Sequence, residues 1–346
     1  MERERTKELH KAVQPFAKSD RTKSIFQLMN TIIPLVAMWV IAYMIIDQTV
    51  VGAIALSIGA AFFAIRTFII FHDCTHGSFF KNKKANAVWG TITGILTMFG
   101  YSQWRHEHLL HHASSSNLDA RGVGDIWMMT VEEYQQASKM KKIGYRLYRN
   151  PLVMFGLGPL FLLLVVNRKN RRGARMPERM NTYFTNIVLV VLYGAVIYFL
   201  GLVPFLLVTG LSMYIAAMLG VWLFYIQHTF EDSYFEEKSE WSYVKAAVEG
   251  SSYYKLPAVL QWLTGNIGFH HVHHLAPRIP NYALEEAHEK TPPLQHATTI
   301  TLKLSLASLK FKLYDPETYQ FITFKQLPQH IRKTSVKPIL PIKKIV

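Results

Sequence analysis

Cysteine is almost missing from this chain. Cys74 is the sole one in 346 residues, which excludes an intramolecular disulfide, a four-cysteine zinc site and an iron–sulfur cluster built by this chain alone. Any electrons the protein handles must come from elsewhere. Acidic residues are also scarce, 23 against 38 Lys and Arg, leaving a formal net charge of +15. No nucleic-acid-binding motif accompanies that excess. It lies largely outside the apolar runs and fits the anionic surface of a cytoplasmic leaflet. The polar N-terminus lacks the short apolar core and small-residue cleavage site of a removable signal peptide, so the first hydrophobic segment is expected to act as the insertion signal.

Apolar residues are plentiful, half of the chain, and they lie in long runs. This predicts an all-α integral membrane protein. Residues 28–46 and 50–71 are each long enough for a crossing of about 20 residues, with no Lys or Arg in the link between them; 182–202 and 205–227 form a second such pair. Residues 85–104 and 152–166 pose a parity problem: a single crossing at 85–104 would put His106–His112 on the opposite side from His72. Both segments are therefore expected to be re-entrant or interfacial, with Gly90, Gly94 and Gly100 easing the first bend. Asp125-Ile126-Trp127 and the Thr130-x-x-Glu133 capping box predict an amphipathic surface helix over 125–150. Arg66, near the end of the second span, is expected to snorkel to the interface.

The layout implied is one membrane domain over 1–346. It comprises a cytosolic N-terminal segment 1–27, spans over 28–71, a cytosolic and interfacial region 72–181, spans over 182–227, a cytosolic region 228–326 and a basic tail 327–346. The basic stretches 81–84 and 167–175 favour the cytosolic side. Pro257 to Gly265 reads as a short helix. After residue 299 the apolar positions fit a helix face or an alternating strand, with an interfacial helix preferred.

Of the 15 histidines, eight fall into three patterns: HxxxH (His72, His76) and two HxxHH (His108, His111, His112; His270, His273, His274). Residues i, i+3 and i+4 neighbour one another on a helix. A given three-histidine pattern arises by chance at roughly one position in ten thousand, so coincidence is a poor explanation. So many imidazoles in one place would repel if protonated, and a shared cation is the simplest compensation. His228, at the inner end of the last span, is a natural ninth member. Eight or nine histidines exceed the three or four that one zinc uses; two octahedral-leaning irons would absorb them and leave positions open. A carboxylate-bridged site in a helical bundle would need two ExxH pairs, and the chain has only Glu285-x-x-His288. His10, His288, His296 and His330 are read as ordinary hydrogen-bonded histidines.

HDCTH, HEHLLHH and HHVHH resemble the three histidine boxes of the membrane fatty-acid desaturases, and the resemblance covers nearly the whole chain. SSNLDARGVGDIWMMTVEEY, RLYRNP, GVWLFYIQHTFEDSYF and LQWLTGNIGFHHVHHLAP are similar to the delta-5 acyl-lipid group of that family in bacilli. The resemblance implies a cytosolic helical cap carrying a di-iron centre held by His72, His76, His108, His111, His112, His228, His270, His273 and His274. It also implies O2 as co-substrate and insertion of a cis double bond into acyl chains of membrane phospholipids. His106 and His271 fall outside the box pattern and are expected to support the ligands or the fold. Asp73, Asp232 and Asn266 are candidates to orient an imidazole through its second nitrogen. Trp104 is a candidate to line the acyl channel.

With no His-Pro-Gly-Gly motif and no CxxC pair, no haem domain is fused, so a ferredoxin or flavodoxin with its reductase is the expected donor, docking on a basic face. A membrane fatty-acyl hydroxylase or alkane monooxygenase is the nearest alternative. A histidine-lined metal transporter is a remote one, because transporters place ligands near the midplane of broken helices.

Overall fold

The structure, a computed structural model, describes residues 2–122 and 124–329. His330 and the basic tail beyond Gln329 lie outside the described residues. The fold is mostly helical, and among the described residues four helices are long and apolar enough to cross a membrane: Arg21–Ile45, Val50–His76, Met176–Leu200 and Leu202–His228.

Helix α1 (Glu2–Val13) packs Leu9 and Val13 into a core shared with the third histidine box. α2 (Arg21–Ile45) starts at Asp20, whose carboxylate accepts from the Thr22 and Lys23 amides, a side-chain cap for otherwise unpaired donors. α3 (Val50–His76) is the central helix. Just over half of its most apolar window is buried, against 11–22% for the other three spans. Those helices instead present Phe26, Met44, Val190 and Phe199 outward, as a lipid-facing surface requires. α3 continues without a break from apolar run into HxxxH and ends at Gly77, whose φ of +68° closes the helix left-handed.

The segment expected to double back does so. α4 (Lys83–Leu96) and α5 (Tyr101–Ser114) form a helical hairpin, each of 14 residues. At about 1.5 Å per residue each arm is some 21 Å long, short of the roughly 30 Å hydrocarbon layer. The bend falls at 97–100, around Met98 with φ +66°. Gly100 sits there, but Gly90 and Gly94 do not bend anything. A Cβ at Gly90 would lie 2.3 Å from the Tyr101 ring and one at Gly94 2.6 Å from the Phe99 carbonyl oxygen, so these glycines let the two arms and α3 close together. The hairpin tip is held by Asn167 and Arg168, both of which donate to the Met98 carbonyl; Arg168 also reaches Asn186 at 2.8 Å. The stretch 167–175 is therefore not wholly a surface loop.

The single surface helix expected over 125–150 is interrupted. After strand β1 (Met129–Thr130), α6 (Val131–Gln136) opens with the anticipated capping box between Thr130 and Glu133. The chain breaks at Ala137, extended at ψ 147°, and Ser138 caps α7 (Lys139–Tyr148). A π-helical stretch, Leu152–Leu157, and α8 (Gly158–Leu164) follow, bent by 65° from α7. A bend of this size suits the re-entrant segment expected over 152–166 and equally a broken span.

α9 (Met176–Leu200) turns at Gly201 (φ +89°) into α10 (Leu202–Phe205), a π-helical Leu206–Gly210 and α11 (Leu211–His228). The remainder is α12 (Tyr243–Val248), β2 (Tyr253–Lys255), α13 (Ala258–Leu263), α14 (His270–Leu275), α15 (Leu284–Glu289), β3 (Thr299–Thr301), α16 (Leu302–Ala307), β4 (Leu313–Asp315) and β5 (Gln320–Ile322). β2 pairs in parallel with β3, and β4 pairs in parallel with β1 and antiparallel with β5. The region after 299 therefore combines strands with one short helix.

Arg66 does not snorkel. It is 6% exposed, its Nε donates to Thr31 Oγ1 at 3.1 Å, its guanidinium bonds the Trp262 carbonyl, and it stacks 3.9 Å from the Trp262 ring. Because α3 outruns its apolar segment, Arg66 lies well inside the helix and ties α2, α3 and α13 together.

Candidate metal centre

α3 and α11 deliver His72, His76 and His228 from their C-terminal ends, α5 delivers the second box and α14 the third. Nine imidazoles converge in two groups. His72, His76, His108, His112 and His273 form one; His111, His228, His270 and His274 form the other. Within each group the candidate ligand nitrogens all lie within 4.8 Å of one another. Helical periodicity explains the division: residues i and i+4 are about 40° apart around the axis, so His72/His76, His108/His112 and His270/His274 stay paired. His111 and His273 each point across to the other group.

Nitrogen faces nitrogen throughout. His112 Nε2 is 3.1 Å from His108 Nε2 and 2.9 Å from His273 Nε2; His228 Nε2 is 3.2 Å from His111 Nε2 and 3.0 Å from His270 Nε2; His274 and His270 are 3.0 Å apart. The second nitrogens decide what these contacts mean. His111 Nδ1 lies 2.6 Å from Asp125 Oδ1 and His228 Nδ1 3.1 Å from the Gly250 carbonyl. Carboxylate and carbonyl oxygens only accept, so both Nδ1 atoms carry hydrogen and both Nε2 atoms present bare lone pairs. Two lone pairs 3.2 Å apart repel unless a cation lies between them. Burial, reinforced by neighbouring imidazoles, pushes His108, His112, His270, His273 and His274 well below the usual histidine pKa, so these five rings are neutral and offer lone pairs as well. His76 Nε2 is likewise buried without a hydrogen-bond partner. The donor set fits metal ions.

The supporting residues divide. Asp73, buried, is 3.3 Å from His72 Nδ1 through Oδ1, while its Oδ2 accepts from the Asn281 amide at 2.7 Å and side chain at 2.8 Å. Asn281 in turn accepts from Gln27 at 2.8 Å, so the box-one helix is locked to α2. Trp104 stacks on His108 at 4.3 Å and packs against Phe68, Phe71 and Phe99, forming an aromatic wall beside the first group. His271 is fully buried but belongs to neither group; its Nε2 is 3.0 Å from His288 Nδ1, and burial drives its pKa down to about 3. His106, outside both groups, lies 3.7 Å from Glu178.

Asp232 and Asn266 make no hydrogen bond to an imidazole among the described residues. Both instead hold positive φ, +63° and +57°. Asn266, following Gly265 (φ +55°), turns the chain from α13 into α14. Of the histidines expected to be ordinary hydrogen-bonded ones, His288 bonds His271, while His10 stacks at 6.3 Å on Tyr243 and is exposed, as is His296.

Sequence reasoning missed two supports. By sequence Asp125 belongs to an interfacial anchor, and nothing in the spacing links it to His111. The Gly250 carbonyl is backbone and has no sequence signal. Only the fold brings either one under its histidine.

Four helices long and apolar enough to cross a membrane, two of them ending at a buried polyhistidine cluster, fit a membrane protein with a metal site. Residues 47–302 match the family described as fatty acid desaturase. A relative named fatty acid desaturase from Bacillus subtilis is 55% identical over 97% of this chain and 95% of its own length. The sn-1 oleoyl-lipid 12-desaturase of a Synechocystis species is 27% identical over 75% of both chains. The sn-1 acyl-lipid omega-3 desaturase (ferredoxin) of the same species is 28% identical over 66% of this chain and 64% of its own. This chain belongs to the fatty acid desaturase family. It is an oxidoreductase acting on acyl lipids, and its histidine clusters fit a metal site.

Proposed function

We propose that the protein is a di-iron desaturase that uses O2 to introduce a cis double bond, at the delta-5 position, into acyl chains of phospholipids in the cell membrane. The observation that carries the di-iron reading is the division of nine imidazoles into groups of five and four. Iron is favoured over zinc by number, since nine imidazoles exceed the three or four that one zinc uses. The delta-5 position is supported by the stretches similar to the bacillar delta-5 group.

When bound, the irons supply the oxidising power needed to remove hydrogen from an unactivated C–H bond. His72, His76, His108, His112 and His273 would hold one ion and His111, His228, His270 and His274 the other. The chain's own part is to fix these rings, through Asp73 at His72 and the Gly250 carbonyl at His228, and to keep water away. Trp104 and the Phe68–Phe71–Phe99 cluster give the first group an apolar flank suited to an acyl chain.

The histidine groups are placed on the cytosolic side. Lys81, Lys83, Lys84 and Arg172 are exposed at the end of the molecule that carries them, whereas the 46–49 link at the other end has no basic residue. The donor is a ferredoxin or flavodoxin. The net charge of +15 favours an acidic protein, and one relative's name carries ferredoxin. Raising ionic strength from about 0.05 to 0.5 M is expected to slow reduction by such a donor several-fold, since screening shortens the Debye length; rates independent of salt count against charge-guided docking.

The deciding experiment is expression in a host lacking delta-5 unsaturation, with mass-spectrometric location of double bonds in its phospholipids and iron analysis of the purified protein. Delta-5 cis products and two irons per chain are expected. A hydroxylated chain, a different bond position or active iron-free protein overturns the corresponding part.

A further inference from the structure

The loop between α5 and β1 carries an acidic residue that nothing in the three histidine boxes calls for. We propose that Asp125 is a positioning residue for the second metal group, holding His111 in the tautomer and orientation that present its Nε2 to the ion. The inference rests on the metal-centre reading above.

His111 Nδ1 donates to Asp125 Oδ1 at 2.6 Å, the shortest hydrogen bond made by any of the nine imidazoles, and Asp125 Oδ2 accepts from the Gly122 amide at 3.3 Å. The loop is shaped for this approach. Gly122 and Gly124 have φ of +107° and +72°, and a Cβ on Gly124 would lie 3.1 Å from His111 Cβ and 3.3 Å from the Glu107 carbonyl oxygen. Only glycine lets the backbone pass so near α5 in that conformation. A carboxylate on the far nitrogen of a ligating imidazole fixes the ring and increases its basicity toward the metal. The nearby rings differ: His112, His270 and His273 have Nδ1 atoms buried with no partner. In the four-histidine group His111 is thus the ring with an anionic brace.

Asp125 also lines a cavity of about 450 Å³ with Leu118, Arg121, Trp127 and Glu133, and its side chain is 20% exposed. A small carboxylate can therefore reach the place that truncation of Asp125 would vacate.

The test loads metal-free full-length protein in detergent micelles with Fe(II) or Co(II) and follows both binding events by metal analysis and visible absorption. In D125N one ion is expected to bind as in the wild type and the other about 10- to 100-fold more weakly, the usual loss when such a support is removed. Asp125→Glu is expected to stay within a few-fold of the wild type, and formate is expected to restore the weakened ion's affinity in D125A. Equal wild-type affinity for both ions in D125N, parallel loss of both, or formate without effect on D125A overturns the proposal. Wild-type protein that binds no metal is a different result, and removes the metal-centre reading itself.

Discussion

At the scale of single residues, what a histidine does here depends on its partners. His228 and His106 make a direct comparison: both lie near the boxes, but only His228 places Nε2 within 3.2 Å of two other imidazoles. His228→Ala is expected to lose one metal ion and at least 100-fold of activity, whereas His106→Ala should keep both ions and remain within a few-fold; comparable metal contents would show that the grouping is not functional. Lys312 gives a pH-dependent case far from the centre. Burial, with Arg149 adding repulsion, lowers its pKa from the usual 10.5 to about 8, and its Nζ donates to the Arg149 carbonyl at 2.7 Å. Between pH 8 and 10.5 the unfolded chain holds more protons than the folded one, so stability rises with pH across that window and the cost is fully present below it. A melting temperature measured in detergent should therefore climb more steeply over pH 8–10 in the wild type than in Lys312→Met; identical slopes would mean the lysine is not strained. Residue-level support was legible where it was local. Asp73 adjoins His72 in sequence and was a candidate, but Asp125 is 14 positions from His111 and reaches it only because a glycine loop folds back. Arg66 misled for a related reason: the apolar run ends at Phe71, whereas the helix ends at His76.

At the scale of elements, close packing places the boxes. The α4–α5 hairpin presses on α3 through Gly90 and Gly94, and Tyr101 in the contact donates to the Cys74 carbonyl at 3.0 Å. This sets the distance between the first and second boxes. Gly94→Ala puts a methyl 2.6 Å from the Phe99 carbonyl oxygen and 2.9 Å from the Phe71 ring, so the turn must move. Overpacking of this kind costs about 1–3 kcal/mol. The same shift carries α5 and its three ligands away from α3, so metal retention should fall along with the melting temperature. Gly144→Ala, where no atom lies within 4 Å of the added carbon, should change neither; a Gly94→Ala protein with unchanged metal content would separate packing from placement. The hairpin was foreseeable because parity demanded a return, but which glycines bend and which permit contact depends on neighbours that sequence spacing does not show. The break at Ala137–Ser138 was missed for lack of Gly or Pro, since extended backbone at Ala137 leaves no compositional mark. After residue 299 the pattern allows a strand as well as the preferred helix, because runs of three residues are too short for their period to decide.

At the scale of the whole molecule, one end of each of the four spans lies near the nine histidines. α3 and α11 end at the cluster, and α2 begins beside it, with Ser24 Oγ donating to the Phe79 carbonyl at 2.6 Å. α9 also begins there, where Asn181 accepts from the Ser102 amide at 2.9 Å. Two span pairs that each leave from and return to one face leave two short links on the other, around Asp47 and around Gly201. That arrangement makes a labelling prediction with little background, because the single native thiol, Cys74, is buried at 0% exposure. A membrane-impermeant maleimide added to intact cells should label Asp47→Cys and spare Lys83→Cys and Arg172→Cys; inverted membrane vesicles should reverse the pattern. All three positions are exposed, so failure to react reports the side of the membrane and not burial. If Lys83→Cys and Arg172→Cys label on opposite sides, the segments between them cross the bilayer an odd number of times, and the shared metal centre cannot be built from boxes on both sides of them. If both label from outside, the cluster faces away from the cytoplasm and from any soluble cytosolic electron donor.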